Sequence, residues 1–208
     1  MYISHGHKLL FMPVPKSGCT TVKKLLWYMD SGFYTDKNIH GANPTKEFKD
    51  ISDIIRDKNL DSYYKFCIVR DPVDRLISAY NHRVLMLGEI RNCKKIQNTL
   101  NLPNEPKFQQ FVNRLNDYKD KSEVIKHHVQ PMCDFLGEDP ELYDRVYRMS
   151  EIDTNLVPLL ESKCGHELKI KTFKSSHTIK RKDLPEQMIN KIKGMFKKDY
   201  EIYGQYLS

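Results

Sequence analysis

The chain is predicted to fold as an α/β protein: a single domain, residues 1–208, with a central, mostly parallel sheet flanked by helices. Three observations predict it. Two short apolar runs, Leu9 to Val14 and Lys65 to Arg70, each lead directly into a segment with helical periodicity. Runs of this kind, without polar alternation, suit strands covered on both faces, and strands alternating with helices give parallel pairing. The length, with 39% hydrophobic and 29% charged residues, suits one domain with a full core.

Residues 11–21 read Phe-Met-Pro-Val-Pro-Lys-Ser-Gly-Cys-Thr-Thr. The first apolar run ends in the Pro-Lys-Ser-Gly turn, after which Val22, Leu25, Leu26 and Met29 recur at helical spacing. The second run meets Asp71-Pro72, an N-cap followed by proline at the first helical position. Val73, Leu76, Ile77, Tyr80, Val84 and Leu87 then form the apolar stripe of one long helix. Residues 88–106 are polar, carry Gly88, Pro103 and Pro106, and read as a surface insertion, with 88–125 as a variable region. A helix over 107–118 follows, then a less regular stretch through His127, His128, Pro131 and Gly137. Tyr143 to Met149 is a third strand and Ile152 to Ser162 a helix. The last helix starts near Pro185, with Met188, Ile189, Ile192, Met195, Phe196 and Tyr203 on its buried side.

Composition excludes some classes. No apolar stretch reaches the ~20 residues that span a bilayer, and the first residues do not read as a signal peptide. Five cysteines without metal-ligand spacing read as reduced thiols in a cytoplasmic protein, although an excised lumenal Golgi domain would look the same. The net charge of +7 favours anionic ligands without choosing among them. Nothing in the sequence assigns an oligomeric state.

Strand, small-residue turn and helix start together make an anion site. The first N–H groups of a helix lack internal partners and the helix dipole favours negative charge there. Lys16 adds a mobile cation, and Ser17, Thr20 and Thr21 add hydroxyl donors. Arg70 falls where the second strand gives way to a helix, the carboxyl edge at which open α/β sheets bind ligands, and a guanidinium there can hold a phosphate through two parallel bonds. Ser78, eight residues on, can offer a hydroxyl to the same anion; the plainer reading pairs Arg70 with Asp71 or Asp74 and leaves Ser78 as packing. A Walker loop needs Gly-x-x-x-x-Gly-Lys-Ser/Thr, whereas here the lysine precedes the single glycine. No acidic residue for magnesium stands out at another strand end, so the expected ligand is a nucleotide used without metal.

These residues resemble the sulfotransferases that use 3′-phosphoadenosine 5′-phosphosulfate (PAPS). Pro15-Lys-Ser-Gly-Cys-Thr-Thr-Val-Lys23 is similar to their P-loop-like 5′-phosphosulfate loop, and Arg70-Asp-Pro-x-x-Arg75-Leu-x-Ser78-Ala-Tyr80 to their 3′-phosphate motif. The Cys-Thr variant of the loop and the Val-Arg-Asp-Pro wording resemble the carbohydrate sulfotransferase branch, including its short bacterial members. Weaker likeness continues in Val146 to Glu151 and in Lys198 to Gly204, while 88–125 matches nothing in the family. The resemblance implies in-line transfer of a sulfuryl group to a carbohydrate hydroxyl, acidic glycans included, with 3′-phosphoadenosine 5′-phosphate (PAP) released and no metal required. It implies that Pro15, Lys16, Ser17, Gly18, Cys19, Thr20 and Thr21 surround the phosphosulfate, and that Arg70 and Ser78 hold the 3′-phosphate. Lys16 would stabilise charge on the bridging oxygen, and Arg181, in the basic cluster Lys180-Arg-Lys182, would close on the nucleotide.

The general base is left open among His40, His128 with its neighbour His127, and a carboxylate such as Glu47 or Glu151; Glu151 reads better as orienting a strand end. An imidazole titrating near pH ~6.5 can serve once it is oriented. Arg75 is expected to bond backbone or acidic neighbours, and Cys19 to pack without acting as a nucleophile. Sulfation of a small molecule or a peptide tyrosine is the alternative within this chemistry. A nucleic-acid-binding module or a magnesium-dependent kinase is the alternative outside it; the first predicts clustered basic and aromatic residues, yet the best cations here stand singly at strand ends.

Overall fold

The computed structural model describes residues 1–35, 39, 57–169 and 178–207. In chain order it contains β1 (Tyr2–Ser4), β2 (Leu9–Met12), α1 (Cys19–Ser31), β3 (Tyr64–Val69), α2 (Pro72–Ala79), α3 (Lys94–Gln97), α4 (Phe108–Asn113), α5 (Leu115–Lys121), α6 (Glu123–Val129), α7 (Cys133–Leu136), β4 (Arg145–Arg148), α8 (Val157–Cys164), α9 (Glu186–Met195) and α10 (Lys197–Tyr203). The strands form one sheet in the order β1-β2-β3-β4. β1 pairs antiparallel with β2, with Tyr2 opposite Phe11. β2 and β3 are parallel, with Met12 beside Cys67, and β3 and β4 are parallel, with Val69 beside Arg148. The expected α/β class with a mostly parallel sheet is therefore observed. β1 was not anticipated: three residues are too short to show a period, and the strand forms by hairpin pairing with β2.

The chain divides into two compact units. The first comprises Met1–Arg70, Met132–Phe173 and Glu201–Ser208 and contains the whole sheet. Its strands lack polar alternation because both faces are covered. Leu9 and Phe11 of β2 and Phe66 and Ile68 of β3 pack with Val22 and Leu26 of α1 and Leu160 of α8. Leu10, Met12, Cys67 and Val69 point the other way, into a core with Leu136 of α7 and Tyr203. Tyr203 hydroxyl donates to the Gly137 carbonyl at 2.9 Å.

The second unit comprises Asp71–Pro131 and Lys174–Tyr200 and is helical among its described residues. As expected, Asp71 caps α2, its carboxylate accepting from Val73 N at 2.8 Å, with Pro72 at the first turn. The long helix runs on to Met86 but does not remain α-helical. Tyr80–Met86 is a π-helical segment, whose i→i+5 turns advance less per residue than an α-helix and rotate the stripe out of phase. Val84 stays buried, but Leu85, Met86 and Leu87 are exposed. The segment 88–106 also differs from a polar surface insertion: Ile90, Ile96 and Leu102 are buried in this unit's core beside Phe108 and Phe111. The helix expected over 107–118 breaks at Arg114 into α4 and α5. The stretch through His127 and His128 is helix α6, started by Ser122, whose hydroxyl accepts from Ile125 N at 3.3 Å. The last helix breaks at Phe196, and Met195 is exposed.

Candidate functional site

The loop after β2 is built from the backbone upward. Val14 and Pro15 are buried, and Ser17 N donates to Val14 O at 3.2 Å, closing a tight turn. Lys16 (φ 69°) and Gly18 (φ 82°) both lie in the left-handed region, which costs a non-glycine residue about 1–2 kcal/mol. Gly18 is the N-cap of α1 and has no side chain to bond the first helical N–H groups, the groups that an anion at a helix start would meet. A Cβ on Gly18 would stand 2.6 Å from Ile152 Cδ1, so the backbone angle favours glycine and any side chain there would have to displace the end of Ile152. Ser17 is 1% exposed, and among the described residues its Oγ has no hydrogen-bond partner. An unsatisfied buried hydroxyl costs about 1–3 kcal/mol, and one placed in a helix-start loop fits an anion acceptor.

Arg70 follows the last residue of β3, and its Nη1 donates to Lys16 O at 3.0 Å. Parallel register puts the ends of β2 and β3 on one edge, and this bond joins the edge residue of one to the loop of the other. The first unit thus brings together Pro15, Lys16, Ser17, Gly18, Cys19, Thr20, Thr21 and Arg70. Lys23, one turn further along α1, is buried, and burial lowers its ammonium pKa from the ordinary 10.5 against an opposing influence from Cys19. Cys19 packs against the core, and all five cysteines are free thiols.

The end of β4 carries a carboxylate network that sequence reading resolved only in outline. Glu151 Oε2 accepts from Arg148 N at 2.7 Å and Arg148 Nε at 3.2 Å. Its Oε1 accepts from Asn155 Nδ2 at 2.8 Å and pairs with Arg145 Nη2 at 3.5 Å. The backbone bond from Arg148, with the side-chain bonds from Asn155 and Arg148, outweighs burial and holds the Glu151 carboxyl below its ordinary 4.5. A carboxylate so engaged is a weak proton acceptor, in keeping with an orienting role.

In the second unit Ser78 is buried in the last turn of α2, and Arg75, buried to 2% exposure, donates through Nη2 to the Gln130 carbonyl, a backbone bond as expected. Arg181 Nη1 lies 3.1 Å from Asp71 Oδ1 and 3.3 Å from Asp74 Oδ2. Asp71 Oδ1 also accepts from the Tyr200 hydroxyl at 3.1 Å. Tyr200's own pKa is raised, chiefly by burial and then by the charge of Asp71. His128 Nδ1 lies 2.7 Å from Val124 O; the carbonyl can only accept, so Nδ1 donates this bond. His127 is exposed beside it. His40 and Glu47 lie outside the described residues. Among the described residues no group of three or more histidine, cysteine or acidic side chains is placed to hold a metal, and no helix is long and apolar enough to cross a membrane.

Comparison with known proteins gives a consistent set of relatives. A family model described as "Sulfotransferase family" matches residues 1–206. Carbohydrate sulfotransferase 11 of Rattus norvegicus is 29% identical over 199 residues, covering 85% of this chain and 56% of the relative, and the Mus musculus protein matches equally. Carbohydrate sulfotransferase 10 of Homo sapiens is 36% identical over 90 residues, covering 40% of this chain and 25% of the relative. The chain thus spans about half the length of the first of these relatives (56%). No solved structure matches it significantly.

Proposed function

The chain belongs to the sulfotransferase family, matched from residue 1 to 206, and on that premise we propose that it transfers a sulfuryl group from PAPS to a hydroxyl of a carbohydrate acceptor. One observation carries the reading: a buried, unpartnered Ser17 hydroxyl in a glycine-capped loop whose Lys16 carbonyl is bonded by Arg70. That donor set fits a phosphosulfate. Lys16, Ser17, Thr20, Thr21 and the first N–H groups of α1 offer hydroxyl, ammonium and amide donors, with no carboxylate among residues 15–21 to repel an anion.

The nucleotide, when bound, supplies an activated sulfuryl group. This chain's residues supply binding, orientation and charge. The Lys16 ammonium stabilises negative charge growing on the leaving oxygen, and electrostatic help of this kind counts most where charge develops. Gly18 and Cys19 let the backbone approach closely while Pro15 fixes the entry to the turn. Arg70 and Ser78 are assigned to the 3′-phosphate by their match to the family motif, and Arg181 is a further phosphate or sulfate ligand. The acceptor proton goes to His40 or His128; the bond from His128 Nδ1 to Val124 O orients that ring and leaves Nε2 as the nitrogen that would take it.

The names of the relatives support a carbohydrate acceptor, and the net charge of +7 suits an acidic one. The reduced cysteines suit a cytoplasmic setting, with an excised lumenal domain as the alternative. Calorimetry with PAP, against ATP with magnesium, tests the donor, and a screen of glycans with labelled PAPS tests the acceptor. Tighter binding of PAP is expected. Equal or tighter binding of ATP with magnesium would overturn the reading in favour of a kinase.

A further inference from the structure

We propose that Glu151 is a positioning residue for the phosphosulfate loop, acting through the turn Met149–Ile152 on Gly18; the inference rests on the sulfuryl-transfer reading of that loop. Glu151 sits in the turn that links β4 to the π-helical segment Ile152–Leu156. Its two oxygens bind donors on both sides of that turn: Arg148 N and Nε before it and Asn155 Nδ2 after it. The turn is therefore clamped at both ends by one carboxylate. What the clamped turn presents to the loop is apolar. Ile152 Cδ1 lies 2.6 Å, and Met149 Cγ 3.9 Å, from where a Cβ of Gly18 would stand. Ile152 is also buried in the core that holds Val22 and Leu25 of α1. Gly18 is the residue from which the first N–H groups of α1 are aimed.

A shift of the turn moves Ile152, and with it the wall against which Gly18 and the start of α1 are seated. A misplacement of about 1 Å of groups that position a reacting ligand can cost ~100-fold in function, and a moved loop presents its donors out of place. Hydrogen bonds to a charged acceptor, used here in number, make the clamp stiff. Among the described residues the Glu151 carboxylate bonds Arg145, Arg148 and Asn155, which lie outside the loop, and it is not assigned contact with donor or acceptor. Its effect is confined to where the loop sits.

The test compares the unmodified chain with Glu151→Ala and Glu151→Gln by calorimetry with PAP. A second readout is the rate of alkylation of Cys19 by a maleimide, followed by peptide mass spectrometry without nucleotide. All measurements are made well below each variant's melting temperature. Glu151→Ala is expected to bind PAP about tenfold more weakly, or worse, and to speed alkylation of Cys19, the first residue of α1. Glu151→Gln recovers most of both, because its amide can accept from Arg148 N and meet a turned Asn155 side chain. If Glu151→Ala does not fold, Asn155→Ala, which releases one arm of the clamp, is expected to move both readouts in the same direction by a smaller factor. Unchanged PAP affinity and unchanged Cys19 reactivity in a folded variant would overturn the inference. Failure of the unmodified chain to bind PAP, with Cys19 reactivity still responding to Glu151, would instead overturn the functional reading and leave the positioning intact.

Discussion

Arg70 Nη1 donates to the Lys16 carbonyl at 3.0 Å, so the residue ending one parallel strand holds the loop that follows its neighbour. A bond from a charged donor contributes about 1.5–3 kcal/mol, which is roughly 10- to 100-fold in an equilibrium. Arg70→Ala is expected to weaken PAP binding by that order and to abolish the preference for PAP over adenosine 5′-phosphate. Arg70→Lys keeps the charge but loses the planar fork, and recovers only part of the affinity. Calorimetry with both nucleotides checks this; an unaltered preference in Arg70→Ala would remove Arg70 from the 3′-phosphate site.

Ser17 separates stability from binding. Its hydroxyl is buried without a partner, so removing it relieves a desolvated group at no loss of a bond in the fold. Ser17→Ala is expected to melt at the same temperature as the unmodified chain or higher, yet to bind PAP more weakly by a factor of several. Thermal unfolding with and without PAP measures both signs in one experiment.

Gly18→Ala carries two penalties. The left-handed angle costs about 1–2 kcal/mol for any L side chain, and the added methyl meets Ile152. Denaturant unfolding should show a loss of that size. Because Ile152 Cδ1 is the end of a side chain that can move, Gly18→Ala with Ile152→Val should recover the steric part and leave the angular part.

Strands β2 and β3 and the turn before α1 were legible because their signals are local. Leu9–Met12 and Phe66–Val69 are apolar on both faces, as strands under two layers must be, and Asp71-Pro72 marks a helix start by side-chain chemistry alone. The π-helical turn at Tyr80–Met86 was not legible, since Val84 to Leu87 fit an α stripe equally well and only packing selects the phase. Ser122 as the cap of α6 was legible in principle, from a serine followed by Glu123 and an apolar pair, but the neighbouring histidines and Pro131 drew the reading towards a loop. Ile90, Ile96 and Leu102 are single apolar residues among polar ones, so no period reveals that they enter a core. At the site, Lys16, Ser17, Gly18 and Arg70 came from motif spacing. The Glu151 clamp links residues on both sides of a turn whose shape no propensity specifies.

Asp71 and Asp74 both face Arg181, yet they should behave differently when removed. The Asp74–Arg181 pair is half-exposed on both sides, at 35% and 37%, and such pairs contribute about 0–1 kcal/mol. Asp71 also caps α2 through Val73 N and accepts from Tyr200. Losing a cap costs about 0.5–2 kcal/mol by itself. Asp71→Ala should therefore destabilise clearly, while Asp74→Ala should stay within about 0.5 kcal/mol of the unmodified chain. Asp74→Ala should also relieve a negative neighbour of Arg181 and tighten PAP binding if Arg181 is a ligand; a looser or unchanged affinity would argue against that role.

Acid stability follows from Glu151. Its folded-state pKa is depressed below 4.5, first by the backbone bond from Arg148. A carboxyl that ionises more readily when folded adds stability that is present above the unfolded value near ~4.3 and disappears as pH falls through the folded value. In the unmodified chain, lowering pH through the carboxylate range should reduce the midpoint of denaturant unfolding. In Glu151→Gln, which does not titrate, that part of the fall should be missing while the midpoint at pH 7 is already lower. The two curves should converge in acid, because a protonated Glu151 and a glutamine make similar neutral bonds to Arg148 and Asn155. Parallel curves, offset equally at pH 7 and in acid, would mean that the carboxylate's charge does not hold the turn.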